Sequence, residues 1–322
     1  MSDRAVRIAI LDDYQRAADR YFPVDRLRSL YGAEVTIYTD HAETEAELVR
    51  RAGSAEVVIA MRERSPLPSS VIDQLEATEL IVTTGARNAA IDGKAARARG
   101  ITLCGAGDTD PATAELTWAL LMAVARRIPQ EDAGVRAGHW GLHVGDHLHG
   151  RTVGILGIGN IGTQVARYAQ AFGMNVVATS RSFTPERAAT LGVQAVDWDG
   201  VFRQADYLSV HLRLTTDTRG SIGWREFGIM KDTAYLINTA RGPLIEEGAL
   251  VRALQEGKIR GAALDVHNEE PLPSGSPLLE MDNVVLTPHI GYVTEERYAT
   301  YYGQAGESVE FYLKGHPIRV IN

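Results

Sequence analysis

The sequence predicts an α/β protein of two parallel-sheet domains with a cleft between them. Three observations predict it. The chain has 322 residues, long for one domain and ordinary for two. Short runs that are apolar on both faces alternate with segments of helical period, as in a parallel sheet covered by helices on each side. That alternation is interrupted by a long helix and a glycine-rich stretch, and then begins again.

In the first series, strands are expected over 6–11 (VRIAIL), 34–38 (EVTIY), 57–61 (VVIAM), 80–84 (LIVTT) and 101–104 (ITLC). Residues 43–53 and 68–78 between them have helical spacing. Residues 111–128, PATAELTWALLMAVARRI, read as a long, largely buried helix. Pro111 suits a first helical position, Glu115 the positive end of the helix dipole, and Arg126 and Arg127 the negative end. Residues 136–150 then hold His139, His143, His147 and His149 among Gly141, Gly145 and Gly150. A spacing of four suits one helical face, but the glycines disfavour a helix. Without a converging acid or cysteine set, no metal is expected there. The second series places strands over 152–157, 175–180, 207–212, 234–239, 261–266 and 283–288. A helical pattern over 295–315 follows, with Val309, Tyr312 and Leu313 on one face, and the last six residues read as extended.

With 45% hydrophobic and 23% charged residues the composition is that of an ordinary globular protein able to bury a core. The net charge of −8 disfavours nucleic acid and anionic membranes as partners. Local arginines can still hold a small anion, because distant charge is screened over about 8 Å. The longest apolar run, 118–125, is too short to span a membrane. Cys104 is the single cysteine, which excludes an internal disulfide and a cysteine-based metal site. The chain opens on a short polar lead into a strand, without signal-peptide shape. A cytoplasmic protein is expected.

The second series begins TVGILGIGNIG, a strand running directly into Gly157, Gly159 and Gly162, with the helical pattern TQVARYAQAFG behind it. Strand, glycines, helix and second strand in that order form the dinucleotide-binding fingerprint and mark the domain as Rossmann-like. Gly157 permits the tight turn, Gly159 lets backbone approach a pyrophosphate, and Gly162 lets helix pack on strand. The amides of Asn160 and Ile161, aided by the helix dipole, would hold the phosphates. An ordinary βα turn is the plain alternative. The second strand ends at Ser180, where an acid would accept the adenosine ribose hydroxyls and repel a 2′-phosphate. Ser180 removes that repulsion and Arg181 offers a planar charged fork, which favours NADP(H) over NAD(H). Alternatively, Arg181 points into solvent and the site takes both.

Three later strand ends carry Arg241, Asp265, Glu270 and His289. Residues just past the carboxyl ends of strands converge on the ligand crevice of an α/β sheet, so these four are expected at one site. Singly, each has a bland alternative: a surface ion pair, a turn cap, a core histidine.

With GIGNIG (157–162), HLRLTTDTRGSIG (211–223), MKDTAYLINTARGPLIEEGALVRALQEGKIRGAALDV (230–266), EEPLP (269–273) and NVVLTPHIG (283–291) in order, the chain resembles the D-isomer-specific 2-hydroxyacid dehydrogenases. The resemblance implies hydride transfer between NAD(P)H and a small 2-oxo acid or its D-2-hydroxy acid. Its implied catalytic set is Arg241, Glu270 and His289. Arg241 would pair with the substrate carboxylate. His289 would give a proton to the carbonyl oxygen, with Glu270 orienting the imidazole and favouring its protonated form. The resemblance also implies Asp265 beside the nicotinamide amide, Thr239 and Ala240 along the cofactor, His211 and Thr218 near its adenine half, and Thr113 near its phosphates. Gly291 joins the same cofactor set. A flavodoxin-like substrate domain would comprise residues 1–106 and 292–322, and a dinucleotide-binding domain residues 107–291. Crossings near Asp110 and Gly291 would serve as hinges. A homodimer is implied, with 136–150 as the arm that meets the second subunit.

The chain departs from the family at two places. Its substrate loop, usually Gly-x-Gly-x-Asp-Asn-x-Asp, reads GARNAAID (85–92), with Arg87 at the second glycine. The resemblance implies that Gly85 and Ala86 grip the substrate carboxylate. Arg87 either reads a second anionic group with Arg62 or Arg64, or packs structurally on the loop. Arg213 stands where proline is frequent, as a reinforcement of 2′-phosphate binding or a solvated rim residue. Two rival functions stay open. One is D-3-phosphoglycerate dehydrogenase, for which the chain leaves no room for a C-terminal regulatory domain. The other is a non-enzymatic NAD(H)-sensing protein of the co-repressor type, against which the lack of a long disordered or basic segment weighs.

Overall fold

The computed structural model describes residues 5–107, 111–181 and 183–322. The chain forms two compact units, Met1–Asp110 with Val293–Asn322, and Pro111–Tyr292. The expected crossing at Asp110 lies outside the described residues.

The first unit holds one sheet of five parallel strands: β1 (Arg7–Ile10), β2 (Glu34–Ile37), β3 (Val57–Ala60), β4 (Leu80–Thr84) and β5 (Thr102–Ala106). Their order β2-β1-β3-β4-β5 is the flavodoxin-like one. β3 and β4 are buried along their whole length, as their unbroken apolar runs require, whereas edge strand β2 alternates exposed and half-buried residues. The helix Glu295–Leu313 returns to this unit and packs on β4 and β5, burying Tyr298, Tyr301, Tyr302 and Val309. Beyond it Val320 bridges Cys104 of β5 in antiparallel fashion. The 68–78 pattern yields only one helical turn, Ser69–Ile72, because the chain bends to bury Leu75 fully.

The second unit holds seven parallel strands: β6 (Thr152–Leu156), β7 (Asn175–Thr179), β8 (Gln194–Ala195), β9 (Tyr207–Val210), β10 (Tyr235–Asn238), β11 (Gly261–Leu264) and β12 (Val284–Leu286). Their order β12-β11-β10-β9-β6-β7-β8 places a topological switch point between β6 and β9, where open α/β sheets bind ligands. Successive residues send side chains to opposite faces. Leu156 joins the core with Val210, Phe227 and Leu236, while Ile155 joins Leu121, Val165 and Ala166 on the other side. Two elements differ from the sequence expectation. β8 is a two-residue exposed edge strand with no apolar run to announce it. The helix Ala112–Arg126 ends at Arg127 with φ +50°, and a second helix, Ile128–Arg136, starts there. Residues 139–148 form neither helix nor strand.

Candidate active site

β6 runs directly into Gly157, whose φ of +95° disfavours any side chain, and a Cβ there would stand 2.7 Å from the His211 carbonyl oxygen. Gly162 is buried, and a Cβ on it would overlap the Gly157 carbonyl oxygen. Between them Gly159 is exposed and open: a Cβ there would meet nothing within 4 Å. It starts the helix Asn160–Ala171 with no side-chain cap. The first-turn amides of a helix lack intrahelical partners, and the helix dipole adds positive potential there. An open glycine, uncapped amides and a close helix–strand packing fit a dinucleotide pyrophosphate.

At the adenosine end β7 gives way to half-buried Ser180 and exposed Arg181. Arg187, a residue not singled out from the sequence, donates from Nη2 to the Ile158 carbonyl (2.7 Å) inside the glycine turn. Its position in the first turn of the helix Pro185–Leu191, capped by Thr184, aims it back at that turn. Past β9, partly buried His211 lies 2.8 Å through Nε2 from the Ser209 hydroxyl. Burial pushes its imidazole down to about 4. The Thr218 hydroxyl accepts from the Thr215 amide (2.8 Å) and donates to the Arg213 carbonyl (2.7 Å), so its visible work is to close that turn. Arg213 is exposed.

The remaining residues sit on turns after β10, β11 and β12, which are neighbours in the sheet. Asn238, buried at the end of β10, accepts from the Ala240 amide and donates to the Arg241 carbonyl, both at 3.0 Å. That locks the turn through Thr239, Ala240 and half-buried Arg241, whose Nη1 donates to the Ala240 carbonyl (2.7 Å). The helix Ala112–Arg126 ties the turns together. Its Thr117 hydroxyl lies 2.6 Å from that of Thr239, and its Thr113 hydroxyl donates to the Gly291 carbonyl (3.0 Å).

Asp265, fully buried after β11, accepts from the Thr287 hydroxyl (2.6 Å) and the amides of Ile290 (2.8 Å) and Gly291 (2.9 Å). Both carboxylate oxygens therefore hold the segment that carries His289, which has a positive φ of 54°. Burial raises the Asp265 carboxyl above its ordinary range, more than these bonds and His289 lower it. Glu270 Oε1 accepts from the His267 amide (2.8 Å), and Oε2 lies 2.6 Å from His289 Nδ1. Burial alone would raise the Glu270 carboxyl; the bond and charge of His289, with the His267 amide, outweigh it and hold it below its usual range. The structure thus joins Glu270 to His289, with Glu270 after the strand next to that of Arg241 and His289 one strand further along the sheet. Asn238, Thr117 and His267 were missed from the sequence; an asparagine closing a buried strand was the one readable sign.

In the first unit Gly85 is buried with φ +111°, and a Cβ on it would overlap the Arg62 guanidinium. Ala86 and Arg87 are exposed. Arg64 donates to the Asp12 carbonyl (2.6 Å) and to the Tyr298 hydroxyl (3.3 Å). Of the two arginines weighed as partners of this loop, it is Arg62 that lies against it.

Residues 118–291, more than half of the chain, match the family model described as D-isomer specific 2-hydroxyacid dehydrogenase, NAD binding domain. The chain belongs to the D-isomer specific 2-hydroxyacid dehydrogenases. All five segments that carry the resemblance fall inside the matched stretch. The chain is 40% identical over 276 residues to the D-3-phosphoglycerate dehydrogenase of Methanocaldococcus jannaschii, covering 84% of this chain and 52% of that one. It is 44% identical over 221 residues to the glyoxylate reductase of Aeropyrum pernix, covering 66% of each. It therefore spans about half the length of that phosphoglycerate dehydrogenase and about two thirds of that reductase. A solved phosphoglycerate oxidoreductase from Vibrio cholerae O395 aligns with TM-score 0.90 and 36% identity, over 96% of this chain and 99% of its own. Both sheets of this D-isomer specific 2-hydroxyacid dehydrogenase family member, of five and seven strands, are the parallel α/β sheets that the sequence predicts.

Proposed function

We propose that the chain is an NAD(P)-dependent D-2-hydroxyacid dehydrogenase that reversibly reduces a small 2-oxo acid. The observation that carries this reading is the 2.6 Å Glu270–His289 pair, on the turns after β11 and β12, in the unit that also holds Arg241 after β10 and the open glycine loop. A bound nicotinamide would supply the hydride. With Nδ1 turned to Glu270, His289 presents Nε2 to the substrate, and donates a proton from it to the carbonyl oxygen as that oxygen gains charge. The Glu270 carboxylate, 2.6 Å from Nδ1, keeps the ring in one orientation. Arg241 offers its guanidinium fork to the substrate carboxylate. Holding these groups in place lowers the entropic part of the barrier.

For the first unit we assign substrate recognition to the amides of Gly85 and Ala86 and to Arg87. Replacing Arg87 by Ala raises KM strongly for the true substrate; unchanged kinetics would discard that role. The reading favours NADP(H), supported by a β7 end without an acid and by exposed Arg181 beside it. Thr239, Ala240, Asp265 and Gly291 are assigned to the nicotinamide side, His211 and Thr218 to the adenine side, and Thr113 to the phosphates. A homodimer is proposed because Trp140 and Val144 stand almost fully exposed on the irregular 139–148 segment, an apolar surface that water disfavours. No helix among the described residues is long and apolar enough to cross a membrane, and we place the protein in the cytoplasm.

The narrower reading as D-3-phosphoglycerate dehydrogenase is favoured by the relative of that name and by Arg62 lying against Gly85. The test is a spectrophotometric panel of glyoxylate, hydroxypyruvate, pyruvate, 2-oxobutyrate, phenylpyruvate and 3-phosphohydroxypyruvate, each with NADH and NADPH. Turnover of one of these, fastest with NADPH, is expected. Binding of dinucleotide without turnover of any 2-oxo acid would overturn the enzyme reading in favour of a nucleotide sensor. Preference for NADH would overturn the cofactor assignment alone.

A further inference from the structure

β7 ends without the carboxylate that dinucleotide folds commonly place against the adenosine ribose. A carboxylate nevertheless reaches Arg181 from elsewhere. Asp217, on the turn after β9, brings Oδ2 to 3.6 Å from Arg181 Nη2. In the sheet β9 and β7 flank β6 on opposite sides, so this pair bridges over the carboxyl end of β6, where the glycine turn lies. The turn that presents Asp217 is well defined. Thr218 closes it with two bonds from its hydroxyl, and the amides of Thr218 and Arg219 donate to the Thr215 carbonyl at 3.2 and 3.0 Å.

We propose that Asp217 is a cofactor-specificity determinant: its carboxylate engages the Arg181 guanidinium and so moderates, without reversing, the preference for a 2′-phosphate that Ser180 and Arg181 give. This rests on the reading that Ser180 and Arg181 receive the adenosine ribose. A 2′-phosphorylated dinucleotide must displace Asp217 from Arg181 and lie beside its charge. A dinucleotide with a free 2′-hydroxyl does neither. Arg187, fixed to the Ile158 carbonyl at 2.7 Å, adds a cation at the glycine turn that is independent of Asp217. Both members of the pair are about 80% exposed, so the effect is moderate and screened by salt.

The test measures binding rather than turnover. NADPH, NADH, 2′,5′-ADP and 5′-AMP are titrated calorimetrically into the protein and its D217N, R181A and doubly substituted variants. D217N is expected to tighten NADPH and 2′,5′-ADP about three- to tenfold and to leave NADH and 5′-AMP within about twofold. The gain shrinks at about 0.5 M salt and is smaller in the R181A background, where only the charge of Asp217 remains to be removed. A D217N protein whose NADPH-to-NADH affinity ratio is unchanged, while R181A still weakens 2′-phosphorylated ligands, overturns this inference alone. If neither substitution alters any of the four affinities, the placement of the ribose at Ser180–Arg181 falls with it. A gain of undiminished size in the R181A background also overturns the proposal, since the guanidinium would then play no part.

Discussion

Gly242 opens the short 3-10 turn Gly242–Leu244 immediately after Arg241 and is buried. A methyl group on it would overlap the carbonyl carbon and oxygen of His267 and stand 2.5 Å from the Asn268 nitrogen. Ordinary contacts between such atoms are about 3.5 Å, so in G242A the two turns must part by about 1 Å. All three obstructing atoms are backbone, and no side chain can swing aside to spare them. One turn carries Arg241, while the other holds Glu270 through the His267 amide and, through Glu270, His289. A misplacement of about 1 Å at a reacting centre costs about 100-fold in rate. Overpacking of this kind costs about 1–3 kcal/mol of stability. We therefore expect kcat/KM on the preferred 2-oxo acid to fall about 100-fold in G242A. The dinucleotide Kd should rise by less than kcat/KM falls, because the glycine turn is untouched although Thr239, Ala240 and Asp265 flank the displaced turns. Steady-state kinetics, calorimetric titration and urea unfolding read the three quantities. G248A is the matched control: a Cβ there meets nothing within 4 Å, and the residue lies in the helix Glu247–Gln255. It should leave activity unchanged and gain about 0.5–1 kcal/mol from helix propensity. Should G242A keep kcat/KM close to the unaltered protein, the close approach of these turns would not be what sets the catalytic geometry.

The other predictions concern protons. Glu270→Gln keeps the shape of the pair but removes a charged hydrogen bond worth about 1.5–3 kcal/mol, so kcat should fall about 10- to 100-fold. The Glu270 carboxyl is held below its ordinary value, so its contribution to stability is present above its unfolded pKa and lost as pH falls through the depressed folded one. E270Q should accordingly flatten the acid side of a stability–pH curve from urea unfolding, and an unaltered curve would remove the pair as a source of stability. His211 has the opposite origin: burial lowers its imidazole from 6.5 to about 4. Across that window the unfolded chain takes up a proton that the folded one refuses, so stability falls as pH drops from 6.5 towards 4. The loss is at most about 3 kcal/mol, and H211Q should remove it. Superimposable curves for the two proteins would mean that the ring is not desolvated.

Neither the pairing of Glu270 with His289 nor the burial of Asp265 depends on a short stretch of chain. Asp265 makes its three bonds to residues 287–291 because β11 and β12 are neighbours in the sheet, so that the turns after them meet. The effect is to hold His289 in a left-handed backbone conformation that a non-glycine residue rarely adopts. A carboxylate expected beside the nicotinamide amide is thus also the brace of the histidine segment.

By itself the sequence determined those features whose physics is local. Runs apolar on both faces mark strands buried on both sides, and all eleven strands expected from such runs occur. The glycines at 157, 159 and 162 were readable because a tight turn, an open backbone and a close packing each exclude a side chain for a local steric reason. The helix Ile128–Arg136, which contains Pro129 and Gly134, and the two-residue β8 have no such periodicity and went unread. Tertiary structure alone decided which loops meet. Strand order brings Asp217 to Arg181 and Gly242 to His267, and packing of the helix Ala112–Arg126 brings Thr117 to Thr239. Residue periodicity reports burial and local conformation, whereas contacts between loops distant in the chain follow from how the strands are ordered in the sheet.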